Sequence, residues 1–149
     1  MGARRGDREI GGSTMNIRRF RLDGSGLSRV LGELEAKIME AVWDRGAATG
    51  PEISDAIPNA NYKTVLTVAN RLVEKRLLLR EATDGRAFRY HATESREDFL
   101  DRVAASVANG LVADFGPHGL AQLVRAAETL DPAYLDELER LVRERKGEQ

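Results

Sequence analysis

The chain has 149 residues, 42% of them hydrophobic, with 23 Lys and Arg against 24 Asp and Glu and no cysteine. That is enough apolar material to bury a core in one domain, or in one domain with an appendage, and it excludes disulfides and thiolate metal sites. No run approaches the roughly 18 apolar residues of a membrane span, and no apolar stretch follows the N-terminal arginines as a secretory signal requires, so a cytoplasmic protein without membrane insertion is expected.

Residues 1–26, MGARRGDREIGGSTMNIRRFRLDGSG, are rich in Gly and Arg and have no sustained period. They read as a disordered basic arm, with Met15 as a candidate start. Residues 1–30 carry seven Lys/Arg against three Asp/Glu, a net of +4. From about Leu31 to Arg45, Leu34, Ile38, Ala41 and Val42 recur at helical spacing, joined by Met39 and Trp43, and Gly46 stands where a C-terminal glycine cap belongs. In TGPEISDAIPN, Thr49 and Glu52 have capping-box spacing, Pro51 sits in the first turn and Pro58 is a stop, which predicts a second helix of about two turns.

Asn59 to Asn61 then offer an asparagine N-cap for a third helix, NYKTVLTVANRLVEK, whose two sides differ sharply. Val65, Leu66, Val68, Ala69, Leu72 and Val73 share one arc, while Lys63, Thr64, Thr67, Asn70, Arg71 and Glu74 fill the other. Periodicity alone fits an ordinary helix with a solvated outer face. The segments around it point further, because two helices joined by a short turn, the second with a polar outer face, form a helix-turn-helix.

The next stretch, LLLREATDGRAFRYHA, holds two strand-like runs at about 77–82 and 86–91 around Thr83-Asp84-Gly85, and Asp-Gly predicts a hairpin. Phe88 and Tyr90 share one face of the second run, and Arg86 stands just past the turn, within reach of a phosphate backbone. Three helices and a basic hairpin describe a winged helix, which sets its third helix in a major groove and touches the flank with the hairpin. Residues 61–92 carry seven Lys/Arg against three Asp/Glu, a net of +4, so a pI near neutrality hides a basic segment that a polyanion would sense.

Beyond residue 92 the balance turns acidic, seven against twelve, and three helical stripes follow. Leu100, Val103, Ala104, Val107 and Leu111 make the first; Leu120, Leu123, Val124, Ala127 and Leu130 the second; and Asp131-Pro132 opens a third with Leu135, Leu138, Leu141 and Val142. The fold expected is mainly α with a small β-hairpin wing: a winged helix-turn-helix at 27–92 and a helical region at 93–149.

On the outer face of the third helix, asparagine can pair bidentately with adenine, lysine and arginine can donate to guanine or phosphate, and threonine offers a hydroxyl and a methyl. Catalysis has little to build on. There is no paired carboxylate in an evident pocket and no phosphate-binding glycine loop, and His91 and His118 stand isolated, so no enzymatic activity, cofactor or metal is expected.

LGELEAKIMEAVWDRG, YKTVLTVANRLVEK, LLLRE and DGRAFRYHA together resemble the penicillinase-repressor family (the BlaI/MecI/CopY group) of bacterial winged-helix transcription repressors, closely over residues 31–92 and more loosely beyond. The resemblance implies a homodimer on a palindromic double-stranded operator upstream of antibiotic-resistance or related genes, released when a membrane-bound sensor protease inactivates it. It assigns DNA contact to Tyr62, Lys63, Thr64, Thr67, Asn70 and Arg71, with Lys75 near the backbone and Arg86 and Arg89 on the wing. Three positions depart from the family pattern. Arg76 replaces the glycine that usually ends the third helix, the Cys-x-Cys pair of the copper-responsive branch is missing, and Asp114-Phe115 stands where the penicillinase branch is cut at Asn-Phe.

A palindromic operator needs two recognition helices about 34 Å apart. That favours the C-terminal stripes, above all Leu100, Val103, Val107, Leu111, Leu135, Leu138 and Leu141, as the dimer interface; the competing arrangement folds them back on their own domain. A winged helix that meets a partner protein rather than DNA is the alternative function, and ligand release without cleavage is the alternative control.

Overall fold

Side-chain caps start the helices where the sequence places them. In the computed structural model, which describes residues 26–147, a 3-10 turn at Gly26–Arg29 leads into α1 (Glu33–Arg45), β1 (Ala48–Thr49), α2 (Gly50–Asp55) and α3 (Tyr62–Glu74). The expected arm lies outside the described residues, apart from Gly26. Gly32 N donates to Glu35 Oε1 (3.2 Å) at the start of α1, and Gly46 ends that helix at φ 76°. Thr49 Oγ1 accepts from Glu52 N (3.3 Å) at α2, and Asn61 Oδ1 accepts from Lys63 N (2.9 Å) and Thr64 N (3.3 Å) at α3. The α2–α3 crossing depends on a missing side chain. A Cβ at Gly50 would come within 2.7 Å of Leu66 Cδ2 and 3.4 Å of Tyr62 Oη.

The end of α3 answers the question raised by Arg76. Leu77 N donates to Leu72 O and Arg76 N to Val73 O, both at 3.0 Å, with Leu72 and Leu77 buried: a Schellman motif. Arg76 is the residue at its left-handed position, φ 62°. A non-glycine residue there costs about 1–2 kcal/mol, part of which a glycine would return as unfolded-chain entropy. Arg76→Gly is therefore expected to stabilise the N-terminal unit by about 1 kcal/mol, raising its thermal midpoint by roughly 4–8 °C. An unchanged midpoint in a calorimetric scan would show that the conformation carries no strain.

Two strands follow, β2 (Leu78–Ala82) and β3 (Phe88–Ala92), in a sheet of order β1-β3-β2. β1 is a strand the sequence reading lacks: Ala48 pairs Tyr90 and Thr49 pairs Arg89, both antiparallel. Two residues between a glycine cap and a helix start have no alternation to read. The hairpin turn is also wider than the Asp-Gly signal implies. With Ala82 opposite Phe88, residues 83–87 form the loop, so Arg86 lies in the loop and not on a strand. Thr83 Oγ1 holds this loop, accepting from Gly85 N (3.2 Å) and donating to Ala87 O (2.5 Å).

Three further helices complete the chain, α4 (Arg96–Phe115), α5 (Pro117–Leu130) and α6 (Pro132–Arg145). The chain divides into two compact units between Asp101 and Arg102, inside α4. In the N-terminal unit, Ile38, Met39 and Val42 of α1, Ile53 of α2, Val65, Ala69 and Leu72 of α3, and Leu77, Leu78, Tyr90 and Phe99 are buried together. Phe99 meets Trp43 with ring centroids 5.4 Å apart, and Trp43 Nε1 donates to Glu94 O (3.0 Å). The start of α4 thus belongs to this core, later in the chain than the boundary at residue 92 read from composition.

The C-terminal unit consists of the rest of α4, α5 and α6. Only Gly116, at φ 53°, separates α4 from α5, and a Cβ at Gly119 would meet Leu111 O at 2.7 Å, so α4 and α5 approach closely there. Asp131 Oδ1 caps α6, accepting from Ala133 N (2.9 Å). No described helix is long and apolar enough to cross a membrane.

Candidate nucleic-acid interface

Tyr62, Lys63, Thr64, Thr67 and Arg71 are exposed on α3, as the sequence places them, on the side away from the buried Val65, Val68, Ala69 and Leu72. Thr67 Oγ1 donates to Lys63 O (2.9 Å), so its hydroxyl proton is used within the helix and its oxygen and methyl remain for a ligand.

Asn70 departs from the expectation of base pairing. Its side chain is half-buried, and Oδ1 accepts from Tyr90 Oη (2.9 Å) and Arg80 Nη1 (3.0 Å). A carbonyl oxygen has two lone pairs, and both are taken. Bidentate pairing with adenine needs that oxygen as well as the amide, so Asn70 cannot make it while the network stands. Burial is the main influence on the Tyr90 phenol and raises it above its ordinary value, despite the opposing Arg80 charge, so the hydroxyl stays protonated and donating.

The cations of α3 and the wing fall into two groups. Lys75 Nζ sits 2.7 Å from Glu35 Oε2, whose other oxygen caps α1, so its charge is compensated and it ties the end of α3 to the start of α1. This is a different environment from the free phosphate contact expected of it. Lys63, Arg71, Arg80, Arg86 and Arg89 have no carboxylate within ion-pair distance among the described residues. Arg86 is exposed in the loop, whereas Arg89 is half-buried on the face that also carries Glu81 and His91, which pair at 2.6 Å.

Arg80 is the residue the sequence reading passed over. In register opposite Tyr90, it shares the sheet face of Leu78 and Tyr90, both buried, and its guanidinium lies 4.3 Å from the centre of the Phe88 ring. The available signal was an arginine at a core-facing position of an alternating strand.

Leu100, on α4 in the N-terminal unit, is exposed; in the C-terminal unit, Val103, Val107 and Leu111 are half-buried along α4. Leu120, Leu123, Val124, Leu135, Leu138 and Val142 line an open groove of about 490 Å³ between α5 and α6, while Leu141 is exposed beside it. On α6, Arg140 pairs with Glu137 and Glu144, and Arg143 with Glu139 at 2.6 Å, all exposed. Asp114 and Phe115 are exposed but helical, and Gly116 N donates to Val112 O (2.8 Å). The backbone at this bond is helical rather than extended, with only Gly116 between the end of α4 and the start of α5. No group of three or more His, Cys, Asp or Glu among the described residues is placed to hold a metal.

No curated protein matches the chain. A solved structure of BpsR from Bordetella bronchiseptica, concerned with regulation of its DNA binding by 6-hydroxynicotinic acid, is similar at 19% identity over 78% of this chain and 76% of that one, with a TM-score of 0.42. A complex structure of hsRosR-S1 is similar at 18% identity over 82% of this chain and 97% of that one, with a TM-score of 0.44. The family model described as penicillinase repressor matches residues 31–144. The chain belongs to the penicillinase repressor family, a family of DNA-binding transcriptional repressors.

Proposed function

We propose that the chain represses transcription as a homodimer on a palindromic operator, with α3 in the major groove of each half-site and the 83–87 loop against the flanking backbone. The observation that carries this reading is the uncompensated cationic and polar surface made by Lys63, Thr64, Thr67, Arg71 and Arg86, beside a wing whose other face holds the His91–Glu81 pair. The groove between α5 and α6 supports the dimer, since a row of part-exposed leucines is what a second copy would cover.

The test is a gel-shift titration at several salt concentrations, on an operator duplex selected by the protein from a random library and on random duplex. Neutralising each phosphate contributes about −0.9 to the slope of log affinity against log salt. Arg86→Ala is expected to weaken both duplexes alike and to make the slope shallower by about one unit. An unchanged slope would take the loop off the backbone, and a wild-type protein with no salt-dependent DNA affinity would favour a protein partner for this surface.

For control, family membership favours genes of the β-lactamase-resistance type and release by a sensor protease near Asp114-Phe115. Cleavage there requires the last turn of α4 to unwind, which gives release of an intact repressor by a ligand or protein its own support. Mass spectrometry of protein from induced cells separates the two: a chain of full mass together with lost operator occupancy excludes cleavage.

A further inference from the structure

We infer that Arg80 is a base-reading residue of this repressor, and that Asn70, Tyr90 and Phe88 are positioning residues that hold its guanidinium between the recognition helix and the wing. This rests on the reading that α3 occupies a major groove.

The geometry gives Arg80 three properties that the other exposed cations lack together. Its charge is uncompensated, because its described partners are an amide oxygen, Asn70 Oδ1 at 3.0 Å, and an aromatic face, Phe88 at 4.3 Å. Neither cancels a positive charge, whereas Lys75 is neutralised by Glu35. It is also held, since one N–H is fixed by the amide and the guanidinium carbon sits over a ring that is itself 41% exposed. A planar guanidinium restrained this way loses less freedom on binding than a free lysine. Finally, it keeps unused donors: a guanidinium has five N–H groups, and the fork matches O6 and N7 of guanine.

The same contacts explain the asparagine. Asn70 Oδ1 is held by Tyr90 Oη from a buried ring of β3 and passes that rigidity to Arg80 from β2, so one amide links α3 to both wing strands. Its role is to aim a cation, not to pair with adenine.

The test is a base-preference profile: wild type selects a consensus from a random duplex library, and each variant is then titrated against all single-base substitutions of it. Arg80→Ala is expected to lose discrimination at one guanine-containing base pair per half-site by roughly 5- to 150-fold while affinity for random duplex falls much less. Arg80→Lys is expected to show the same loss, lacking the fork. Asn70→Ala is expected to relax that same base pair, with an Asn70→Ala/Arg80→Ala double variant no worse than Arg80→Ala alone. Circular dichroism and melting confirm that each variant is folded, and Arg80→Lys keeps the comparison open should the alanine variant fail to fold. Equal losses on consensus and random duplex would overturn the assignment and make Arg80 a phosphate contact. Relaxation by Asn70→Ala at an adenine that Arg80 variants leave untouched would restore base reading to the asparagine. A wild type that discriminates normally beside an unchanged Arg80→Ala profile overturns this inference alone; a wild type that selects no consensus overturns the DNA-groove reading itself.

Discussion

Phe99→Ala is expected to cost the N-terminal unit about 3–5 kcal/mol, the range for truncating a fully buried aromatic. Phe99 is 0% exposed and packs on Trp43, and Trp43 in turn is fixed by its indole hydrogen bond to Glu94 O. A small domain has about 5–15 kcal/mol in total, so the variant should be largely unfolded at modest denaturant. Urea titration followed by fluorescence measures this directly, because Trp43 is the chain's one tryptophan and lies in the contact itself. Arg96→Ala is the comparator. Its ion pair with Glu40 at 3.2 Å is solvent-exposed, and its removal should cost less than about 1 kcal/mol. If Phe99→Ala costs no more than Arg96→Ala, the start of α4 does not belong to the winged-helix core.

How far the sequence reached can be seen at individual residues. Caps were legible because their chemistry is local: Thr49, Asn61, Asp131 and Gly46 each terminate a helix as read. The buried arc of α3 was legible because its period is 3.6 and its moment is strong. What the sequence does not show is non-local. β1 is paired only through β3, distant in the chain, and nothing in a helical wheel shows that Tyr90 and Arg80 arrive from the wing to hydrogen-bond Asn70. Lys75 is a similar case, its partner Glu35 lying forty positions earlier. The Asp-Gly turn signal named the right place and the wrong geometry, since Thr83 closes a five-residue loop with its own hydroxyl.

On the proposed homodimer, Leu138→Asp is expected to yield a monomer and to lower affinity for a full operator by about 10² to 10⁴-fold while leaving half-site affinity nearly unchanged. Leu138 is half-buried in the α5–α6 groove among Leu120, Leu123, Leu135 and Val142, and Leu120 and Val142 are each about half exposed in the single chain. An aspartate there would set a carboxylate among leucines that a second copy would cover, and stripping its water costs more than a leucine contact gains; Arg143 and Lys146 also line the groove, but Arg143 is already paired with Glu139. The opposite side of α6 supplies the contrast, where Glu137, Arg140 and Glu144 pair with one another in solvent and suit a face that stays wet. The affinity loss needs no change at any base contact: without linkage the second half-site is bound only at bulk concentration, not at the effective concentration set by the first. Sedimentation equilibrium gives the mass, and gel shifts on full and half operators give the two affinities. A variant that still sediments as a dimer and binds the full operator as tightly as wild type would remove the α5–α6 groove from the interface and leave those leucines to pack within their own chain.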